Sequence, residues 1–318
     1  MEQLLDKYPD DLRFVYRHYP LIGTPETPFH DKAALATQAS EAASKQGKFW
    51  EMHDVIFEHQ DEWVSLSVED FQKWLIEQAG VLDLDTKKFT ADLTSKELVD
   101  QAQKAWDDAQ VMRLTGTPTL LVNGQLWPSN VPLSASNLSS VIELTLIEDR
   151  QFTQCPPMTI DPTRQYIATL HTEKGDIVIE LFADKAPITV NSFIFLAQNG
   201  WFDGVTFHRV LPDFVAQAGD PSGTGYGTPG YAFKNEISPD LKFDGPGVVG
   251  MANAGADSNG SQFFITYSAQ PRLDGSYTVF GKVIQGMDVA TSLTPRNPAD
   301  NTELPPGDKI LSVTIEER

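Results

Sequence analysis

The chain has 318 residues, with 24 Lys and Arg against 44 Asp and Glu, a formal net charge of −20. That charge opposes binding to nucleic-acid phosphates or anionic lipid. A single cysteine excludes an internal disulfide, Cys-x-x-Cys chemistry and a zinc cluster of cysteines within these residues. No run approaches the ~18 apolar residues of a membrane helix, and Met1–Asp10 lacks the basic start and apolar stretch of a secretory signal. At roughly 100–200 residues per domain, two domains are expected.

In chain order, Leu12–His18 is aromatic and β-branched and predicts a strand. Asp31–Gln46 carries apolar residues at helical spacing, and Gly47 can end that helix. Phe49–Phe57 starts another, and Ser67 with Asp70 marks the start of a third. Thr86–Met112 reads as helix with a break. Thr117–Val122, Asn123-Gly124 and Gln125–Trp127 predict a hairpin, and Ser134–Asp149 a last helix.

Strand, helical block, hairpin and helix, with Arg13–Pro20, Gln46–His53 and Gly116–Gly124, resemble the DsbA-like branch of the thioredoxin fold. The resemblance implies an α/β thioredoxin-like domain with a helical insertion. It makes Thr117-Pro118 the family's cis-proline loop. The family's first strand and its Cys-x-x-Cys helix start are missing, so a truncated chain is expected rather than a domain that has lost its chemistry. His53 and His59 are spaced for ordinary helix-surface residues, not metal ligands, and Cys155 reads as an inert thiol. No metal or cofactor is expected.

Gln151–Thr163 contains Pro156, Pro157 and Pro162 and predicts a stiff linker. The expected domains are therefore 1–149, a linker 150–163, and 164–318. Beyond the linker, Gln165–Thr172 and Asp176–Phe182 form a hairpin, and Pro187 opens a helix to Ala197. Short strands follow at Thr206–Val210, Val215–Gln217, Val248–Ala252, Gln262–Tyr267, Thr278–Val283 and Ile310–Glu316, with a short helix at Gly286–Ser292. Many short antiparallel strands predict a closed barrel or sandwich.

Six ordered blocks resemble cyclophilin, a peptidyl-prolyl cis–trans isomerase. They are Phe182–Pro187, Phe207–Phe214, Val215–Asp220, Val249–Ala254, Asn259–Ile265 and Leu273–Gly281. The resemblance implies an all-β eight-stranded barrel with two capping helices and a substrate groove on its outer face. It implies catalytic roles for Arg209, Gln262 and Phe264, with Gln262 orienting Arg209. The proline and its flanking residues would be held by Phe214, Val215, Gln217, Ala252, Asn253, Leu273 and Tyr277, Asn253 chiefly through its backbone. His208 alternates to the other strand face and reads as structural.

The chemistry explains the residue types. Rotating an X-Pro amide costs ~18–20 kcal/mol because resonance is lost. As the bond twists, the prolyl nitrogen gains a lone pair, and a donor aimed at it lowers the barrier without a covalent step. Arg209 offers fixed, permanently charged donors.

Arg272 and Tyr277 stand where tight cyclosporin binders of the family carry tryptophan and histidine, so weak cyclosporin binding is expected. Gly225-Tyr-Gly-Thr-Pro-Gly230 fits a dinucleotide fingerprint, but no helix is predicted after it, and it reads as a loop beside the groove. The expected partners are proline-containing, unfolded or partly folded polypeptides, with no nucleic acid and no membrane span in this chain. Location is expected to be cytoplasmic as written, or extracytoplasmic if the natural start lies upstream.

Overall fold

A computed structural model of the chain describes residues 1–24, 27, 29–299 and 304–318. The chain forms two compact units, one of Arg13–Val131 and one of Met1–Leu12 with Pro132–Arg318.

After α1 (Glu2–Lys7), which belongs to the second unit, the first unit is mostly helical. Its elements are α2 (Ala33–Ser44), α3 (Phe49–Glu58), α4 (Gln60–Trp63), α5 (Val68–Val81), α6 (Thr86–Leu93) and α7 (Lys96–Val111). Ser67 Oγ accepts from Asp70 N–H at 3.1 Å and starts α5. The expected break in Thr86–Met112 falls at Thr94-Ser95, where Ser95 caps α7. Ala39, Ala42 and Ala43 of α2 are fully buried, and their small side chains let α3, α6 and α7 approach. Met52, Phe71, Leu75, Phe89 and Leu93 fill the core they share.

The hairpin is shorter than expected, with β1 (Leu121–Val122) and β2 (Gln125–Leu126) around Asn123-Gly124, both at positive φ. Leu12–His18 is not a strand. It runs without a ladder partner among the described residues, because β propensity is realised only where another strand supplies hydrogen bonds. The Thr117–Pro118 peptide bond is cis.

In the second unit, α8 (Ala135–Leu146) is capped by Ser134 Oγ and packs Ile142 against Leu4 and Tyr8. Residues 151–163 contain no helix or strand, yet they are not a free tether. Phe152 N–H donates to Pro229 O at 2.8 Å, and its ring meets Phe195. Asn191 Oδ1 accepts from Thr159 N–H at 2.8 Å.

The remaining strands are β3 (Tyr166–Thr172), β4 (Gly175–Leu181), β5 (Arg209–Leu211), β6 (Val215–Ala218), β7 (Val248–Met251), β8 (Phe263–Thr266), β9 (Val279–Gln285) and β10 (Ile310–Glu317). They make one antiparallel sheet in the order β10-β3-β4-β9-β7-β8-β6-β5. Hydrogen bonds from Gly204 N–H to Ile310 O and from Ile310 N–H to Val205 O, each 2.8 Å, tie the approach to β5 onto β10. The sheet therefore curls closed. The expected strand at Thr206–Val210 is displaced to Arg209–Leu211, and Thr206 keeps only an isolated bridge to Lys309.

Two helices cap the barrel, α9 (Pro187–Gln198) and α10 (Met287–Thr291). The first turn of α9 has no local cap. Glu236 takes that role from a distance, its carboxylate accepting from the N–H groups of Ile188 (3.0 Å) and Thr189 (2.8 Å). Ala168, Leu170, Ile177, Ile179, Phe193, Phe263 and Phe280 fill the interior. A second apolar cluster of Val215, Phe243, Val248, Phe264 and Val279 lies apart from it.

Candidate active site

Strand alternation builds the site. On β5, Val210 points into the core and Arg209 points away from it, directly across from Gln217 on β6. Gln217 is in turn paired with Phe264 on β8. A one-residue slip in either pairing would send these side chains into the barrel. The result is a cavity of about 120 Å³ lined by Arg209, Phe214, Val215, Gln217, Ala252, Asn253, Phe264, Leu273 and Tyr277. Val215 (2 % exposed) and Phe264 (5 % exposed) form its apolar floor. The Tyr277 ring meets Phe264 edge-on at 5.8 Å.

Nine of the ten groove residues expected from the sequence meet at this cavity. Gln262 is the exception, standing one step back. Arg209 Nη1 donates to Gln217 Oε1 at 3.4 Å, and Gln217 Nε2 donates to Gln262 Oε1 at 3.0 Å. Gln262 Nε2 donates to the carbonyls of Gly225 (2.9 Å) and Gly227 (3.1 Å). Gln262 thus reaches Arg209 through Gln217. The Asn253 side chain donates to Ser276 O at 3.3 Å, and its own N–H and C=O make no hydrogen bond among the described residues.

The loop that holds Gln262 is organised by Asp220, a residue not singled out in the sequence. Asp220 is fully buried. It accepts from Ser222 N–H (2.8 Å), Ser222 Oγ–H (2.6 Å), Gly225 N–H (2.7 Å) and Gly227 N–H (3.0 Å). The glycines of the fingerprint-like motif therefore serve a carboxylate of the protein itself. Gly225 and Gly230 have φ of +83° and +86°, and no helix follows.

The Arg209 guanidinium lies over the Phe214 ring, 5.5 Å from its centroid. Burial, and next the nearby Arg272 guanidinium, lower its pKa from the usual arginine value. His208 is 2 % exposed, and its Nδ1 has no hydrogen-bond partner among the described residues. Burial chiefly pushes its pKa down to about 4. The Asp220 charge opposes this, and Arg296 and Arg209 reinforce it.

In the first unit, Thr117 lines a larger cavity of about 410 Å³ with Tyr16, His18, Lys32, His53 and Trp63 among its walls. Among the described residues no cluster of His, Cys, Asp and Glu is arranged to hold a metal, and no helix is long and apolar enough to cross a membrane.

A closed antiparallel barrel with an apolar groove and a guanidinium at its mouth is the arrangement that the six sequence blocks implied. The chain belongs to the cyclophilin-type peptidyl-prolyl cis–trans isomerases. The family model for cyclophilin type peptidyl-prolyl cis-trans isomerase matches residues 167–315, and one described as thioredoxin matches residues 1–143. The Arabidopsis thaliana peptidyl-prolyl cis-trans isomerase CYP18-1 is 45% identical over 147 residues, which are 45% of this chain and 88% of that protein. Peptidyl-prolyl cis-trans isomerase A of Mycobacterium tuberculosis is 46% identical over 145 residues, 41% of this chain and 80% of its own. A crystal structure of a Cryptosporidium parvum cyclophilin type isomerase is 34% identical, with a TM-score of 0.44, over 48% of this chain and 98% of that one.

Proposed function

We propose that this isomerase works without a covalent step, with Arg209 as the donor to the twisting prolyl nitrogen. The proline ring sits against Phe214, Val215, Phe264 and Leu273, with Tyr277 closing one side. Gln217, Ala252 and the backbone of Asn253 hold the flanking peptide. The observation that carries this reading is the Arg209–Gln217–Gln262 relay, which fixes a charged donor beside an apolar cavity. A donor held in place before the reaction avoids reorganisation as the nitrogen pyramidalises. Gln262 is a positioning residue in this scheme.

The test is turnover of an Ala-Pro peptide by the full chain beside Arg209→Ala. A drop of at least about tenfold is expected, the scale for losing one transition-state hydrogen bond from a charged donor. Equal turnover would remove Arg209 from the mechanism.

Residues 1–149 are read as a DsbA-like module that brings folding clients to the isomerase of residues 164–318. The helical block of α2–α7 ahead of the β1–β2 hairpin supports this. The joint of residues 150–163 is read as part of the isomerase body, on the packing of Phe152 and Ile160. Cyclosporin is read as a weak ligand, because Arg272 and Tyr277 replace an indole and an imidazole.

A further inference from the structure

Two guanidiniums share one aromatic ring at the groove. Arg209 lies 5.5 Å and Arg272 lies 4.6 Å from the centroid of Phe214. Neither has a carboxylate within 4.0 Å among the described residues. Some basic residues elsewhere in this unit do pair, as Lys174 with Asp308, Lys185 with Asp184 and Arg318 with Glu316. Asp274, the acidic neighbour of Arg272 closest in sequence, accepts from Phe243 N–H at 2.9 Å through Oδ1. In a chain of net charge −20, this cavity has two guanidiniums over one ring at its edge and no carboxylate beside either among the described residues.

The two arginines are not equivalent. Arg209 is half-buried and tied to Gln217. Arg272 is exposed, sits in the turn Pro271–Leu273 beside a groove-lining residue, and makes no hydrogen bond among the described residues. Stacking occupies one face of a guanidinium and leaves its N–H edge free for two parallel bonds to a carboxylate.

We propose that the groove prefers X-Pro segments carrying an acidic side chain next to the proline, and that Arg272 is the specificity-determining residue that reads it. The inference rests on the reading of this cavity as the proline site. An incoming carboxylate also relieves the repulsion between the two guanidiniums, which adds to its attraction at this spot.

The experiment uses the full chain and two isosteric peptide pairs, Glu against Gln immediately before the proline and Glu against Gln immediately after it. The expected result is a Glu-over-Gln ratio in kcat/KM of about threefold or more in one pair, the scale of a favourable partly exposed ion pair. That ratio should shrink as salt is raised. It should fall to near one in Arg272→Gln and persist in Arg272→Lys.

A ratio near one in both pairs, with the Gln peptides turned over normally, overturns the proposal. A ratio that survives Arg272→Gln overturns the assignment to Arg272. Peptide binding followed by NMR shifts of the groove residues is read in parallel. Binding that prefers Glu while no peptide is turned over would sink the catalytic reading and leave the specificity standing.

Discussion

Gly227 approaches Asp220 so closely that a Cβ on Gly227 would lie 1.9 Å from Asp220 Oδ1 and 2.9 Å from Ile147 Cδ1. No rotamer change removes a clash of that size against a fully buried carboxylate. Gly227→Ala is expected to lower stability by about 2 kcal/mol or more, in line with overpacked sites. Asp220→Ala leaves three buried or half-buried N–H groups without their acceptor and is expected to cost about 3 kcal/mol or more. Urea unfolding of the full chain, followed by a probe in the barrel, checks both. Wild-type midpoints would contradict the account of the loop.

Among the described residues, Gln217 links Arg209 by hydrogen bonds to the loop's Gln262. Gln217→Leu keeps the volume and removes both hydrogen bonds. Its kcat/KM is expected to fall by about fivefold to thirtyfold, equivalent to about 1–2 kcal/mol of lost orientation. Gln262→Leu should act in the same direction, because the relay ends there. Unchanged kcat/KM in both variants would mean that Arg209 needs no positioning.

His208 gives the barrel a pH dependence whose sign follows from burial. Its folded-state pKa is about 4 against 6.5 for an ordinary histidine. Between those values the unfolded chain binds the proton and the folded chain does not. Stability is therefore full above about pH 6.5 and is lost as pH falls toward 4, by about 3 kcal/mol in total. The check is ΔG of unfolding from urea titrations across that window, for wild type and His208→Gln. The variant should lose this part of the slope, and an equal slope in both would place the acid sensitivity elsewhere.

The cation over Phe214 also bears on cyclosporin. Arg272 puts a hydrated charge where an apolar indole would contact the macrocycle, so micromolar or weaker inhibition is expected. Arg272→Trp should tighten inhibition by about tenfold or more, the worth of burying part of an aromatic side chain. A peptide-turnover assay with added cyclosporin measures both. Nanomolar inhibition of the wild type would overturn this expectation.

Much of the isomerase half was legible in the sequence. Period-two alternation placed β3 and β4, and short β-rich runs between Gly and Pro turns placed β6–β9, to within a residue or two, while the six blocks placed the groove residues. Helical spacing and capping did the same for α2, α3, the start of α5 and the outer bounds of α6 and α7, whereas the single turn of α4 was not anticipated. Leu12–His18 failed as a strand because pairing is supplied by the rest of the fold and not by the segment. Residues 151–163 had the composition of a tether, and only packing shows Phe152 and Asn191 fastening them to the barrel.

By itself the sequence determined the family and the barrel and named Arg209 among the residues that line the groove, because each is carried by local pattern or by motif. Only the tertiary structure decided how that residue is held. Gln217 lies 45 positions from Gln262, Gln262 lies 35 positions from Gly227, and Arg272 meets Phe214 from a separate turn. Such contacts depend on which strands become neighbours when the sheet closes, and no periodicity within a single segment encodes that.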